Sequence, residues 1–213
     1  MSQFPITDKT KITRMPKRGV YDKDQVYAML DESLVCTVAF CLDDQPFQIP
    51  TGFCRIDDTL YIHGSVGSHY MRELVSKNLA VNINVTHMDG LVLARSAFHH
   101  SVNYRSVSIF SHAKKIEGIE EMNAILEVFT EKMCKGRWND IRKPTDGEWK
   151  ATMVIAFPIK EASAKVRTGP PVDDDEDYAL DIWAGVIPMT VEKHSPVADQ
   201  KLNAKTKLPD YLK

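Results

Sequence analysis

Leu60-Tyr61-Ile62-His63-Gly64-Ser65-Val66-Gly67-Ser68-His69-Tyr70-Met71-Arg72 is the stretch of sequence that says most about the fold. Its opening alternation predicts a β-strand that ends near His63, and two glycines then allow the backbone to approach a ligand. Ser65 and Ser68 place hydroxyls before a helix, whose first amides favour an anion. The pattern suits a phosphate-binding turn, although a plain strand, turn and helix capped by Ser68 has the same spacing.

His63 is a candidate for proton transfer, because an imidazole titrates near neutral pH. At a strand end that faces a ligand, it would contact a ring cofactor or exchange protons with a substrate. The alternative is a half-buried histidine that bonds the neighbouring loop.

Short runs rich in β-branched and aromatic residues flank this stretch and predict antiparallel strands. The predicted strands are 34–42, 47–56, 59–63, 80–87, 91–94, 107–116, 152–159 and 162–167, with a hairpin turn at Asp89-Gly90. Helices are predicted from Asp22 to about Ser33, at 68–75 and at 119–133. The chain is therefore expected to be mainly β with a few helices, and to close into a barrel of five or six strands.

The bulk composition indicates one domain with extensions, since 43% of the 213 residues are hydrophobic and 26% are charged. Residues 1–20 form a basic arm without a core of its own, for which disorder is the simplest expectation. Residues 21–168 form the predicted barrel domain, and residues 169–213 a C-terminal extension. The acidic run 173–177 is expected to be solvated, whereas Trp183 is expected to dock on the barrel or on a partner subunit.

Several classes of function are disfavoured by charge and patterning. The formal net charge is −2, so no global positive field attracts nucleic acid or an anionic membrane. No apolar run approaches the roughly 20 residues of a membrane span, and the start lacks a secretory signal, which predicts a cytoplasmic protein. No metal site is predicted, because the histidines and the cysteines, expected to be reduced, lack ligand spacing.

Polar residues also crowd the segment from Ala94 to Val107, between two predicted strands. Arg105 is placed to clamp a phosphate, and Ser106 or Asn103 to bond the polar edge of an aromatic ring. Solvent exposure would explain the same composition.

Several long segments resemble the nitroimidazole-resistance-type flavin-nucleotide-binding branch of the pyridoxamine-phosphate-oxidase-like family. They are residues 49–50, 60–65, 89–101, 103–107 and 162–171, in the expected order, and the similarity covers roughly residues 15–190. It implies a six-stranded antiparallel FMN-binding split β-barrel that forms a homodimer. One FMN would lie in each of two clefts between the subunits.

The resemblance also implies the residues that contact the cofactor, with His63 beside the flavin ring as the predicted catalytic residue. The contact residues are Pro50, Thr51, Gly52, Ile62, His63, Gly64, Ser65, Ser68, His69, Arg105, Ser106, Arg167 and Trp183. In the phosphate turn this chain has His69-Tyr70 where the oxidases carry Arg-Lys, and it has Cys54 in place of a lysine. These departures disfavour the same pyridoxal-phosphate substrate.

The leading functional hypothesis is an FMN-dependent oxidoreductase that acts on a small redox substrate, without nucleic acid or membrane partners. A second is a non-catalytic flavin- or haem-binding module, in which His63, His99 or His100 would be an axial haem ligand. A third is a dimeric relic with an empty cleft.

Overall fold

The computed structural model describes residues 2–212. Within that range the strands are Gly19–Val20 (β1), Val35–Leu42 (β2), Gln45–Gly52 (β3), Cys54–Ile56 (β4), Thr59–Ser65 (β5), Ala80–Leu93 (β6), Ser101–His112 (β7), Lys114–Lys115 (β8), Thr152–Pro158 (β9), Glu161–Arg167 (β10) and Gly185–Pro188 (β11). The helices are Lys23–Glu32 (α1), His69–Ser76 (α2), Ile119–Met133 (α3) and Asp146–Ala151 (α4). No helix in this range is long and apolar enough to span a bilayer.

The strands form two antiparallel sheets. One has seven strands in the order β1-β10-β7-β6-β2-β3, with β11 beside β6, and the other has the order β4-β5-β9-β8. The prediction of a mainly β fold with few helices is confirmed, but the expected count of six strands is wrong. The residues 1–20 and 169–213 supply β1 and β11, and the predicted strand 47–56 divides at the buried Phe53 into β3 and β4, which belong to different sheets.

The predicted hairpin at Asp89-Gly90 is also wrong, because β6 runs without a break from Ala80 to Leu93. The ladder with β7 shifts register between Met88 and Gly90, as in a β-bulge. A Cβ on Gly90 would lie 2.9 Å from the Ile187 carbonyl oxygen of β11. Glycine is therefore needed here for the close approach of a third strand, and not for a turn.

The second half of β6 extends beyond its pairing with β2, although Val85 and Val107 still belong to the main core. β2 pairs with β6 only from Val81 to Asn84, whereas β7 follows β6 as far as Val92. We call residues 85–107 the hairpin arm. Its part on β6 runs from Val85 to Leu93, and these eight residue steps span about 26 Å. β11 pairs with the arm at residues 90–93.

Helices α1 and α3 each pack an apolar face on the interior. α1 begins as predicted, with the Asp22 carboxylate accepting from the Gln25 amide at 3.1 Å, and it buries Val26 and Leu30 in the main core. α3 has the predicted bounds, and its apolar stripe packs on β4 and β9 as core. The stripe of α3 is thus confirmed as a packing surface.

The N-terminal arm is docked, contrary to the expectation of disorder. Phe4 is only 2% exposed and belongs to the main core. The Thr7 hydroxyl and the Lys9 ammonium each donate to the Glu161 carboxylate at 2.9 Å. One buried aromatic ring and these bonds hold a segment whose composition alone indicates no core.

Candidate functional site

Two predicted contact segments, Pro50–Gly52 on β3 and His63 on β5, meet helix α3 where the edge of the large sheet approaches the small sheet. The ring of His63 on β5 packs edge-on against Phe129 of α3, with centroids 4.5 Å apart and an interplanar angle of 88°. A Cβ on Gly52 would lie 3.2 Å from Cε1 of the same Phe129 ring. We call this place, where Pro50, Thr51 and Gly52 approach His63, the β3–β5 junction.

The surroundings of His63 determine its protonation. The residue is exposed to solvent on one side, while packing on the other side lowers the pKa of its imidazole. The neutral ring is therefore favoured at pH 7, and it can accept a proton. The preceding Ile62 is fully buried in the core, so only its backbone is available to a ligand.

The predicted phosphate turn uses its amides within the protein. The Val66 N–H donates to the Ala151 carbonyl at 2.9 Å, and the Ser68 N–H to the Ser65 carbonyl at 2.9 Å. The Gly67 N–H donates to Ser65 Oγ at 3.1 Å. These three amides already have partners within the chain and are not free to bind a phosphate, which argues against a phosphate cradle made of turn amides.

Packing accounts for the first glycine of this turn. A Cβ on Gly64 would lie 2.7 Å from the sulfur of Met71, a fully buried residue of α2. The side chain of Ser68 makes no capping hydrogen bond, and that of His69 is 71% exposed. The side chains of Ser65, Ser68 and His69 can therefore still contact an anion, whereas the amides of Val66, Gly67 and Ser68 are engaged within the protein.

Arg105 is engaged by two carboxylates. Its Nε and Nη2 donate to Asp89 at 3.0 and 2.8 Å, and Nη2 also donates to Glu32 at 2.9 Å, with a further bond from Nη1. Ser106 is next in the strand and therefore faces the opposite side, where its hydroxyl lies 3.5 Å from the Lys165 carbonyl. Arg105 links α1 to the hairpin arm, and the two residues cannot contact one ligand group together.

Replacing Arg105 with alanine should lower the free energy of unfolding by about 1 kcal/mol at pH 7, since Glu32 is 54% exposed and solvent screens the pair. The guanidinium lowers the pKa of Glu32 and Asp89 from their usual 4.5 and 3.8. This stabilisation is present above those values and disappears as the pH falls through the lower folded-state values. Urea denaturation at pH 7 and pH 3 measures it.

The exposed Arg72 provides the control, since Arg72→Ala should leave the stability unchanged at both pH values. An equal loss at pH 7 and pH 3 in the Arg105 variant would contradict the role given to the carboxylates.

The acidic run in the C-terminal extension is only partly solvated. The side chain of Asp173 is 0% exposed, and it accepts from the Arg95 backbone amide at 2.9 Å and from Arg95 Nη1 at 3.0 Å. The Arg95 guanidinium also lies over the Tyr178 ring, 4.9 Å from its centroid. We call residues 95–99 with the acidic segment 173–177 the arm tip.

The arm tip holds buried polar atoms that lack partners. In residues 2–212, four buried side-chain N or O atoms have no hydrogen bond; Arg95 Nε and Ser96 Oγ are two of them, and a third, His99 Nε2, has only the Asp174 carboxylate nearby, at 3.2 Å. The ligating atoms of His99, Asp174 and Asp177 lie within 4.8 Å of one another, a grouping that the sequence spacing does not reveal. Since an unpaired buried polar atom costs about 1–3 kcal/mol, this concentration is suited to a polar ligand group.

Arg167 and Trp183 differ in their surroundings. Arg167 is 8% exposed, and it donates to the Asn103 side chain and to the carbonyls of Gly169 and Pro170. It fastens the start of the extension to the hairpin arm. Trp183 is 69% exposed, so it is not buried against the barrel of its own chain, and its docking on a partner subunit stays a prediction.

The β3–β5 junction and the arm tip, which contains none of the predicted cofactor-contact residues, form two separate groups of candidate residues in one chain. Pro50 and Asn84 both pair with Thr37, and the arm tip begins beyond Leu93, nine residues farther along β6. Nine steps of a strand are about 30 Å. The β3–β5 junction and the arm tip therefore lie at distant places on the chain.

Comparisons with known proteins agree with the family resemblance. Residues 22–166 match the pyridoxamine 5'-phosphate oxidase family. Flavocytochrome Anf3 from Azotobacter vinelandii is 36% identical with a TM-score of 0.90, and 97% of this chain and 95% of that one are covered. The FAD and heme binding protein from Mycobacterium smegmatis is 34% identical with a TM-score of 0.87, covering 91% and 95%.

A Bacteroides thetaiotaomicron protein named for 5-nitroimidazole antibiotic resistance shares the fold at 22% identity and a TM-score of 0.59, covering 70% of this chain and 86% of that one. No curated protein sequence matches the chain. Because the family match spans most of the sequence and two neighbours more than 30% identical cover nearly all of it, the chain belongs to the pyridoxamine 5'-phosphate oxidase family.

Proposed function

We propose that the protein is a homodimeric flavoprotein that transfers electrons to or from a small molecule. Its flavin would lie between the β3–β5 junction of one subunit and the arm tip of its partner. The observation that carries this proposal is the separation of the two groups of candidate residues, about 30 Å along the strands of one chain. A second subunit would bring the two groups together.

The β3–β5 junction suits the ring end of the cofactor. Gly52 lets the backbone of β3 pack closely against the Phe129 ring, which also contacts His63. The neutral imidazole of His63 can accept a proton from a substrate or from the flavin ring. The flavin, when bound, supplies the electron chemistry. The role of this chain is to orient the ring and to hold a proton acceptor beside it.

The arm tip suits the phosphate end. Arg95 Nε and Ser96 Oγ are buried donors without partners, and charged or hydroxyl donors of this kind bind phosphate oxygens. Arg95 is oriented by its bonds to Asp173, which would leave the remaining donor in a fixed direction. Arg105, for which the sequence predicts a phosphate contact, is already bonded to Asp89 and Glu32, so we propose Arg95 for this role.

The sequence resemblance and the similar structures point to different flavin nucleotides. The resemblance predicts FMN, whereas one whole-length neighbour is named an FAD and heme binding protein. We extend the prediction to FAD, which shares the ring and the first phosphate with FMN. The family resemblance by itself predicts a protein that binds FMN and not FAD.

A haem is a second candidate cofactor, favoured by the names of the two whole-length neighbours. An axial ligand must be a neutral imidazole. Burial lowers the pKa of His63, whereas Nδ1 of His100 lies 2.9 Å from the Ser96 carbonyl oxygen and Nε2 of His99 lies 3.2 Å from Asp174. An Nδ1–H donated to a carbonyl leaves the Nε2 lone pair of His100 free for iron, so His63 and His100 are both candidates, whereas His99 Nε2 is occupied by Asp174.

Absorption spectra and chromatography of the purified protein test the cofactor directly. We expect flavin bands and, after denaturation, about one FAD or FMN per chain, and a Soret band if haem also binds. Ser96→Ala should weaken flavin binding about tenfold by removing one donor, whereas Ser111→Ala, at a hydroxyl bonded to the Pro158 carbonyl, should not. A protein that neither contains nor takes up flavin would refute the proposal.

A further inference from the structure

Trp183 is the exposed tryptophan of this chain. Of the three tryptophans, Trp138 and Trp149 are buried, whereas Trp183 is 69% exposed in the C-terminal extension. Tryptophan is enriched at binding surfaces, because its large ring is apolar and its N–H is polar. The position of this ring in the fold indicates what it binds.

The backbone of β11 restricts the position of the indole ring. A Cβ on Gly185 would lie 2.9 Å from both Cζ2 and Cη2 of Trp183, so the ring fills the space that a side chain at position 185 would occupy. The absence of a side chain on Gly185 therefore lets the ring lie close to the strand. A ring that is already restricted loses less conformational entropy when a planar ligand stacks on it.

The ladder between β11 and β6 places Trp183 beside the arm tip. Gly185 pairs with Leu93 in antiparallel register, and Trp183 precedes Gly185 by two residues. Arg95 follows Leu93 by two residues, so Trp183 and Arg95 lie beyond the same end of the ladder. Two residue steps of a strand span about 7 Å. Trp183 therefore belongs to the same region of the protein as the unpaired buried donors Arg95 Nε and Ser96 Oγ.

We propose that Trp183 stacks on the adenine of FAD and makes the protein select FAD over FMN. The inference rests on the proposed function, in which Arg95 and Ser96 bind the phosphate end of the flavin nucleotide. FMN ends at its phosphate, whereas in FAD a second phosphate, a ribose and an adenine follow. An aromatic ring beside the phosphate donors can therefore contact only the larger nucleotide, and every base offers a face for stacking.

The rings of Tyr178 and Phe98 also lie near the arm tip, and both have partners within the chain. The Arg95 guanidinium lies over the Tyr178 ring, 4.9 Å from its centroid. The Phe98 ring packs edge-on against His99, with centroids 5.1 Å apart. Indole is also the largest aromatic side chain. Trp183 is thus the ring best suited to a purine.

Competition between the two nucleotides tests this inference. The full-length protein is freed of bound flavin and equilibrated with equal concentrations of FAD and FMN, and the bound nucleotides are then released by denaturation and quantified by chromatography. We expect the wild type to bind about tenfold more FAD than FMN, because the stacking of one base on an aromatic side chain strengthens binding by about this factor. Trp183→Leu should bring the ratio close to one, whereas Trp183→Phe should keep part of the preference.

Leu180→Ala provides the matched control. Leu180 is another exposed apolar residue of the extension, and it has no aromatic face, so its removal should leave the ratio at the wild-type value. A wild type without a preference for FAD, or a Trp183→Leu protein with the wild-type ratio, would overturn the inference. A loss of the preference in Phe98→Ala but not in Trp183→Leu would also overturn it, since the base would then stack on the other ring.

Light scattering on the same samples identifies a different role for the ring. If Trp183→Leu weakens FAD and FMN binding equally and dissociates the dimer, Trp183 is a subunit contact and the inference is wrong. Failure of the proposed function gives a different result, because the wild type would then bind neither nucleotide.

Discussion

Replacing Arg167 with leucine should lower the free energy of unfolding by about 3 kcal/mol. The guanidinium is buried, and it donates to the Asn103 side chain and to the carbonyls of Gly169 and Pro170. Leucine would fill part of the space but leave these acceptors without their donor. Urea denaturation followed by tryptophan fluorescence measures the loss.

Lys165 provides the matched control, because it lies two residues earlier on the same face of β10 and is only half-buried. Lys165→Leu should change the stability by less than about 0.5 kcal/mol. Similar losses in the two variants would mean that Arg167 does not anchor the extension.

Truncation after Thr168 should have a still larger effect, a loss of about 4 kcal/mol or more. It removes β11, which pairs with residues 90–93 and covers the hairpin arm, where Val92 is fully buried. It also removes Asp173, the counter-ion of Arg95. The truncated protein should therefore unfold at a much lower urea concentration and lose its flavin.

A shorter truncation after Val191 separates these contacts from the rest of the extension. Val191 is fully exposed, and the removed tail includes Tyr211, whose hydroxyl lies 3.1 Å from Arg137. We expect a loss of about 1 kcal/mol. If both truncations lower the free energy of unfolding by the same amount, β11 and Asp173 do not contribute to stability.

The sequence predicted correctly those elements that are stabilised by contacts between residues close together in the chain. The Asp22 cap and the apolar stripe of α3 are visible in the sequence, because the interacting residues lie three or four positions apart. Asp89-Gly90 misled for the opposite reason. A strand from the other end of the chain selects glycine there, and no local pattern records that contact.

In the candidate site, too, the sequence indicates individual residues but not the contacts between residues far apart in the chain. The sequence indicates His63 and Gly52, but Phe129, which both contact, reads only as core. Arg105 has the right chemistry for a phosphate, yet Glu32 and Asp89 reach it from outside its own segment. The burial of Asp173 by Arg95 is equally invisible, because the two residues are far apart in the sequence.

A mixed dimer tests the central claim, that each flavin lies between two subunits. One subunit carries His63→Trp, which fills the β3–β5 junction, and the other carries Ser96→Asp, which repels phosphate at the arm tip. Each homodimeric variant should bind no flavin, whereas the mixed dimer keeps one intact junction facing one intact arm tip. The account predicts about one flavin per mixed dimer, and a mixed dimer without flavin, formed from folded subunits, would contradict it.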